Sequence, residues 1–105
     1  MLLLQRKKHE PVNVYQLEEG VTPFLHSSII PIKIDGDSVD IKIVQEGLSS
    51  ILVRGLSARG SIDYLQDIKV TVAEIKGRVV VLGFDAPLKY NFVRSEIDGC
   101  IEKKV

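Results

Sequence analysis

The sequence has 105 residues, of which 45% are hydrophobic and 27% are charged, an ordinary balance for one globular domain. Its 14 basic residues equal its 14 acidic residues, and this zero net charge alone argues against a nucleic-acid-binding protein, which usually carries excess positive charge. The single cysteine, Cys100, excludes an internal disulfide framework. No apolar run approaches the roughly 18 residues of a membrane span, and the apolar start is too short for a signal peptide, so we expect a cytoplasmic protein.

Short apolar or alternating runs between turn residues predict antiparallel strands over the first two thirds of the chain. The predicted strands are 2–8, 12–15, 29–34, 39–44, 51–56 and 61–65. Pro31 favours an edge position for the third strand, because proline cannot donate a hydrogen bond to a neighbour. The sequence D-G-D-S at 35–38 predicts a turn that joins the third and fourth strands in a hairpin.

The last third of the chain predicts three more strands and a helix. Residues 68–73 alternate, and K-G-R at 76–78 is a tight connection to 79–84, an apolar run typical of a strand buried on both faces. A further strand is predicted at 90–93. From Ser95 the apolar period changes to that of a helix. The predicted fold class is therefore mostly β, a small antiparallel sheet or barrel with one short C-terminal helix.

The sequence offers little support for an enzyme or a metal site. We interpret His9 and His26 as surface or loop histidines, and the three aspartates of 35–40 as a solvated hairpin turn, because the later glutamate of a calcium loop is missing. Cys100 falls on the apolar face of the predicted helix and is interpreted as a buried thiol. No catalytic residue, metal or cofactor is predicted. Two basic places remain, Arg6-Lys7-Lys8 at the end of the first strand and Arg94 after the last strand.

One segment resembles a known family signature. Residues 76–97, K-G-R-V-V-V-L-G-F-D-A-P-L-K-Y-N-F-V-R-S-E-I, resemble the pattern K-G-x-x-V-R-I-G-x-x-A-P-x-x-V-x-V-x-R-x-E-I of the carbon storage regulator (CsrA/RsmA) family. The start M-L-L-L-Q-R-K resembles the family's opening M-L-I-L-T-R-R, with Gln5 and Lys7 as departures. The resemblance covers residues 1–9 and 61–102 of a single domain, 1–105, and leaves about 10–60 as an insertion.

This resemblance implies an interwoven homodimer in which the first strand of one protomer lies beside the last strand of the other. It implies an RNA-binding regulator that recognises G-G-A in single-stranded or hairpin-loop RNA, represses translation or alters mRNA stability, and has mRNA 5′ leaders and regulatory small RNAs as partners, with no membrane contact. The implied RNA-binding residues are Leu4, Arg6, Lys7, Ala86, Pro87, Phe92, Val93, Arg94 and Glu96.

The insertion leaves alternatives open. It is either an inserted β-hairpin region or part of a degenerate internal repeat that makes the chain a pseudo-dimer. In the repeat, 39–47 matches 68–77, 51–59 matches 79–87 and 62–66 matches 90–94, with Gln66 in the place of Arg94. The alternative function is a protein-interaction module or antagonist of the same fold, which pairs with family members or is controlled by a protein partner through residues 10–60.

Charge separates these regions. Residues 1–9 hold three bases and no acids, and 68–105 hold seven bases and five acids, so the family-like parts carry +3 and +2. Residues 10–67 hold four bases and nine acids, a charge of −5. The neutral total therefore predicts a basic RNA-binding core joined to an acidic insertion.

Overall fold

The computed structural model describes residues 1–45, 50–64 and 67–94. These residues form nine strands and no helix. The strands are β1 (Leu2–Lys7), β2 (Val12–Glu18), β3 (Val21–Ile34), β4 (Ser38–Gln45), β5 (Ile51–Ser57), β6 (Ser61–Tyr64), β7 (Ile68–Lys76), β8 (Val79–Asp85) and β9 (Tyr90–Arg94). The predicted mostly antiparallel β fold is confirmed, and the helix predicted from Ser95 lies outside the described residues.

Two antiparallel sheets share one hydrophobic core. One sheet has the strand order β1-β8-β7-β6, and the other has the order β5-β4-β3-β2-β9. Inward-facing residues of both sheets form a single buried cluster, because alternate residues of a strand point to the same face. The largest fully buried side chains are Ile29, Ile41, Ile43, Ile68 and Leu82. Residues 12–57 thus build four of the five strands of one sheet and about half of the core.

Two details of the predicted strands also need correction. Pro31 lies in β3, between β2 and β4, so the predicted edge position is wrong. The carbonyl of Pro31 accepts a 2.7 Å hydrogen bond from the amide of His9, which places its N and O atoms on the side away from β4, where the missing N–H disrupts no bond to that strand. In β8, Val80 and Leu82 are buried but Val79 and Val81 are half-buried, so the strand is covered less completely than predicted.

The hairpins β3–β4 and β7–β8 are built alike. Six of the seven residue pairs of β3–β4 recur in β7–β8 with both residues 41 positions later, and both hairpins have a bulge at the same place, between Pro31 and Lys33 and between Val72 and Glu74. The matched pairs are Ile29↔Ile43 with Val70↔Phe84, Pro31↔Ile41 with Val72↔Leu82, and Ile34↔Val39 with Ile75↔Val80. The two hairpins are therefore structural repeats of each other.

The strand pairs that precede these hairpins repeat as well. The turns after β1 and β5 hold His9 and Arg59, 50 positions apart, in the left-handed region with φ of 67° and 70°. The amide of Arg59 donates to the carbonyl of Val72 at 2.6 Å, as the amide of His9 does to Pro31. The next strands pair in matched register, Val12↔Ile29 with Ile62↔Val70 and Val14↔Ser27 with Tyr64↔Ile68.

The chain is thus an internal repeat whose halves exchange their first strands. β1 pairs with β8 of the second half, and β5 pairs with β4 of the first half in matched register, with Lys7↔Val79 corresponding to Ser57↔Ser38. This repeat is not the one that the sequence alignment predicted. The structure matches β5 with β1, β4 with β8 and β6 with β2, whereas the sequence alignment matched them with β8, β7 and β9.

Candidate nucleic-acid interface

The candidate interface lies where an edge strand of each sheet comes to the same side of the molecule. β1 is an edge of the four-stranded sheet and β9 is an edge of the five-stranded sheet. Residues of both strands line the two clefts described below, and we call this side of the molecule the β1–β9 border. Within the chain, β1 forms its hydrogen bonds with β8, and β9 forms its own with β2.

A basic cleft of about 300 Å³ lies at one end of the β1–β9 border. Its lining residues are Gln5, Arg6, Lys7, Glu10, Val79 and Arg94. Arg94 closes β9, where it pairs with Val12, and Lys7 closes β1, where it pairs with Val79. The fold thus brings together the two basic places of the sequence, which are almost 90 residues apart in the chain.

The two basic residues of β1 differ in exposure. The side chain of Arg6 is only 4% exposed, and its guanidinium donates from Nε to the carbonyl of Gln5 at 2.7 Å and from Nη1 to the carbonyl of Pro11 at 3.5 Å. Lys7 faces solvent. Because neighbouring residues of a strand face opposite sides, Lys7 presents its ammonium group to solvent, whereas Arg6 points inward and holds the end of β1 to the residue before β2.

Glu10 is the one carboxylate in the lining of the basic cleft, and it stabilises the turn after β1. Its Oε1 accepts a 2.7 Å hydrogen bond from the backbone amide of Lys7. The amide of Glu10 in turn donates to the carbonyl of Lys7 at 3.1 Å. This carboxylate therefore fixes the backbone from which the Lys7 side chain projects.

A second cleft of about 270 Å³, the loop cleft, lies at the other end of the same border. It is lined by Met1, Leu2, Phe84, Asp85, Ala86, Pro87, Leu88, Tyr90, Asn91 and Phe92. Phe92 stacks on Phe84 with ring centroids 4.8 Å apart, which ties β9 to β8 across the two sheets. Leu88 is 97% exposed beside Pro87, so the loop presents an apolar side chain to solvent.

The predicted site residues divide into four groups. Arg6, Lys7 and Arg94 meet at the basic cleft, and Ala86, Pro87 and Phe92 meet at the loop cleft. Leu4 is half-buried against the core and Val93 is buried, so both support the strands from inside. Glu96, like Gln66 and Cys100, lies outside the described residues.

A polar cluster anchors the loop that carries Ala86 and Pro87. The ammonium of Lys89 lies 3.3 Å from a carboxylate oxygen of Asp67, and the hydroxyl of Tyr90 donates to the other oxygen at 3.5 Å. The hydrogen bond to Asp67 is the main cause of the raised pKa of Lys89. The carbonyl of Lys89 also accepts a 2.6 Å bond from the amide of Leu17. The loop is therefore fixed from both halves of the chain.

His26 and Ser27 extend this cluster into the core. The ring of His26 packs edge-on against Tyr90 at 5.3 Å, and its Nδ1 lies 3.0 Å from the hydroxyl of Ser27. Ser27 is buried and shares a 3.1 Å hydrogen bond with the hydroxyl of Tyr64. Burial lowers the pKa of His26, and burial raises the pKa of Tyr64 to about 12. His26 is thus half-buried within β3, and its interpretation as a surface or loop histidine is wrong, whereas His9 does lie exposed in a turn.

Sequence reasoning missed several residues of this border. Tyr90, Asp67 and Lys89 position the loop, but Asp67 and Lys89 match no named position of the family signature and Tyr90 stands where the signature has its first valine. The exposure of Leu88 is predictable from the sequence, because a leucine between Pro87 and Lys89 lies in a turn, where its side chain does not reach the core. Asp35 and Asp37 lie exposed in the hairpin turn as predicted, with the amide of Asp35 donating to the carbonyl of Ser38 at 2.8 Å, whereas Asp40 lies half-buried in β4 and accepts a hydrogen bond from the amide of Gly55.

Over the described ranges, no three His, Cys, Asp or Glu side chains come together as a metal site would require. The same part of the chain contains no helix long and apolar enough to cross a membrane. No family model, curated protein or solved structure matches the sequence or the fold.

Proposed function

We propose that this chain is a post-transcriptional regulator of the CsrA/RsmA type that acts in the cytoplasm. It binds single-stranded or hairpin-loop RNA containing G-G-A, in mRNA 5′ leaders and regulatory small RNAs, and thereby represses translation or alters mRNA stability. The observation that supports this proposal is the β1–β9 border, along which Lys7 and Arg94 meet in one cleft while Ala86 and Pro87 line the next.

The chemistry of the basic cleft suits an RNA backbone. Lys7 and Lys8 are exposed ammonium groups that neutralise phosphates without reading sequence. Arg94 is an exposed guanidinium at the end of an edge strand, and its planar fork of donors matches a phosphate or the acceptor edge of guanine. Single-stranded RNA loops are recognised in this way, because their splayed bases expose edges and faces.

The loop cleft suits the bases. The fixed backbone of Ala86 and Pro87 offers peptide groups to base edges, and Met1, Leu2 and Leu88 offer exposed apolar surface to base faces. Asp67 holds the loop through Lys89 and Tyr90, so little ordering remains when RNA binds, and preorganisation of this kind favours affinity.

The test is an anisotropy titration of a hairpin RNA with G-G-A in its loop against the same hairpin with C-C-A. We expect G-G-A to bind at least about tenfold more tightly, since each well-placed base contact contributes about 1–3 kcal/mol. Equal affinity for the two loops would refute sequence recognition. Retention of a protein partner with no RNA in a pull-down would instead favour the antagonist function.

Arg94→Ala tests the site, with Arg54→Ala as its matched control. Both arginines are exposed on edge strands of the same sheet, β9 and β5, and both variants remove one positive charge. We expect Arg94→Ala to weaken binding by about tenfold or more, since hydrogen bonds to a charged group contribute about 1.5–3 kcal/mol, and Arg54→Ala to change it by less than about twofold, because screening weakens distant charges. Equal losses in the two variants would show that the site is misassigned.

A further inference from the structure

The internal repeat creates two equivalent borders, and they differ in chemistry. The counterpart of the β1–β9 border is the side where β5 and β6 form the opposite edges of the two sheets. This β5–β6 border corresponds to the first by register, since Arg6↔Val80 matches Leu56↔Val39 and Lys7↔Val79 matches Ser57↔Ser38. Residues at the two borders can therefore be compared one by one.

Three positions that carry basic side chains at the β1–β9 border carry uncharged side chains at the β5–β6 border. Leu56 stands in the place of Arg6 and is half-buried against the core, and Ser57 stands in the place of Lys7. Ala58 follows where Lys8 follows in the first half. A phosphate that Lys7 and Lys8 would neutralise at the first border meets neither of these charges at the second.

The backbone of the second border is also different. β1 pairs with β8 residue by residue, but β5 has a bulge in which Arg54 and Gly55 lie opposite Asp40. Gly55 adopts a φ of 68°, and its amide donates to Asp40 at 2.8 Å. A bulge bends an edge strand and redirects its side chains, so the regular edge offered by β1 is lost at β5.

The arginine supplied by β9 has no equivalent in the first half. Arg94 belongs to the segment that follows β8, and the segment that follows β4, residues 46–50, reads E-G-L-S-S. This segment contains no basic residue and has an acid at its start. The sequence itself therefore lacks a second copy of the residue on which the proposed site depends.

We infer that one chain binds one G-G-A element, at the β1–β9 border, and that the β5–β6 border binds none. This inference rests on the proposed function and defines the kind of complex it forms. Because both strands of the first border come from one chain, the site is complete without a second copy. An RNA with two G-G-A hairpins then recruits two chains, and no chain bridges the two hairpins.

The test is a measurement of stoichiometry on the full chain. Light scattering should give the mass of one 11.7 kDa chain, and native mass spectrometry with excess single-hairpin RNA should give one chain with one RNA. On an RNA with two G-G-A hairpins, calorimetry should give two chains per RNA at an affinity within about threefold of the single hairpin. Bridging by one chain would instead raise the affinity by about 10²–10⁴ through effective concentration.

Two variants assign the occupied border. Lys7→Ala should weaken binding by about threefold to tenfold, and the charge-matched Arg54→Ala, on β5, should leave both affinity and stoichiometry unchanged. Two RNAs on one chain, or a bridged two-hairpin complex, would overturn the inference and leave the RNA-binding function standing. Failure of every G-G-A RNA to bind would overturn both.

Discussion

The hairpins β3–β4 and β7–β8 have the same register and the same bulge, yet the strands beside them differ sharply. Several core positions of the two hairpins hold similar side chains, with Ile41 matched by Leu82 and Val39 by Val80. At the outer edge, the exposed Lys7 is matched by the exposed but uncharged Ser57. Close packing restricts what a core position accepts, whereas an edge strand is free to acquire charge. The two halves therefore differ in charge at an edge that a ligand could meet.

The hairpin β2–β3 is the second large difference. Its strands β2 and β3 have 7 and 14 residues, whereas the corresponding strands β6 and β7 have only 4 and 9. Leu17, Val21 and Phe24 are exposed on the extension. The base of this hairpin supports the interface, because Val12–Gln16 pair with β9. The longer hairpin of the first half thus provides the edge on which β9 lies.

The largest effect is expected at the matched core pair Ile41 and Leu82, which are both fully buried. Ile41→Ala and Leu82→Ala should each lower the free energy of unfolding by about 3–4 kcal/mol, from lost apolar burial and an unfilled cavity. Because the sheets share one core, urea unfolding followed by circular dichroism should remain one transition in both variants. A second transition in either variant would show that the halves unfold separately.

The next effect concerns Tyr64, whose counterpart in the first half is Val14. Burial raises its pKa to about 12 from 10.0. Between these pH values the unfolded chain loses the hydroxyl proton while the folded chain keeps it, so the free energy of unfolding falls as the pH rises. The stabilisation is fully present below pH 10, and the loss by pH 12 should be up to about 3 kcal/mol.

Urea titrations at pH 9, 10 and 11 measure this slope, and Tyr64→Phe should flatten it. The variant should also cost about 1 kcal/mol at pH 8, since it removes the hydrogen bond to the buried Ser27. An alkaline slope of the same size in Tyr64→Phe would assign the pH dependence to other groups.

A reciprocal exchange at the edges tests the comparison of Arg6 with Leu56. Leu56→Arg should lower the free energy of unfolding by about 1–2 kcal/mol, because it removes an apolar side chain that packs on the core. Arg6→Leu should change it by less than about 1 kcal/mol, since the lost hydrogen bonds to Gln5 and Pro11 are offset by apolar burial. A larger cost for Arg6→Leu than for Leu56→Arg would show that the hydrogen bonds of Arg6 stabilise the fold more than the packing of Leu56 does.

The sequence predicts the strands well because alternation and turn residues are local signals. It does not predict which strands pair, because alternating strands resemble one another and the register depends on contacts between distant residues. The wrong repeat alignment and the wrong edge position of Pro31 both follow from this. The position of Pro31 in a central strand and the hydrogen bond from the amide of His9 to its carbonyl are products of the tertiary fold.

The candidate interface was predictable in its residues but not in their arrangement. The sequence singles out Lys7 and Arg94, and only the pairing of β9 with β2 brings them to one cleft. The burial of Arg6 is predictable from strand geometry, because Leu4 faces the core and residues two positions apart face the same side of a strand. The anchoring of the loop by Asp67 had no local signal, because its partners come from another part of the chain.

The smallest effect is expected at the matched turn glycines Gly36 and Gly77. Gly77 adopts a left-handed φ of 59°, Gly36 lies outside that region, and an added Cβ at either position would meet no atom within 4 Å. The two substitutions therefore differ in backbone strain alone. Gly77→Ala should lower the free energy of unfolding by about 1 kcal/mol, because a side chain disfavours positive φ. Gly36→Ala should be neutral or raise it by about 0.4–1 kcal/mol, because it restricts the unfolded chain. Parallel urea titrations measure both, and equal losses would mean that the two turns share one backbone conformation.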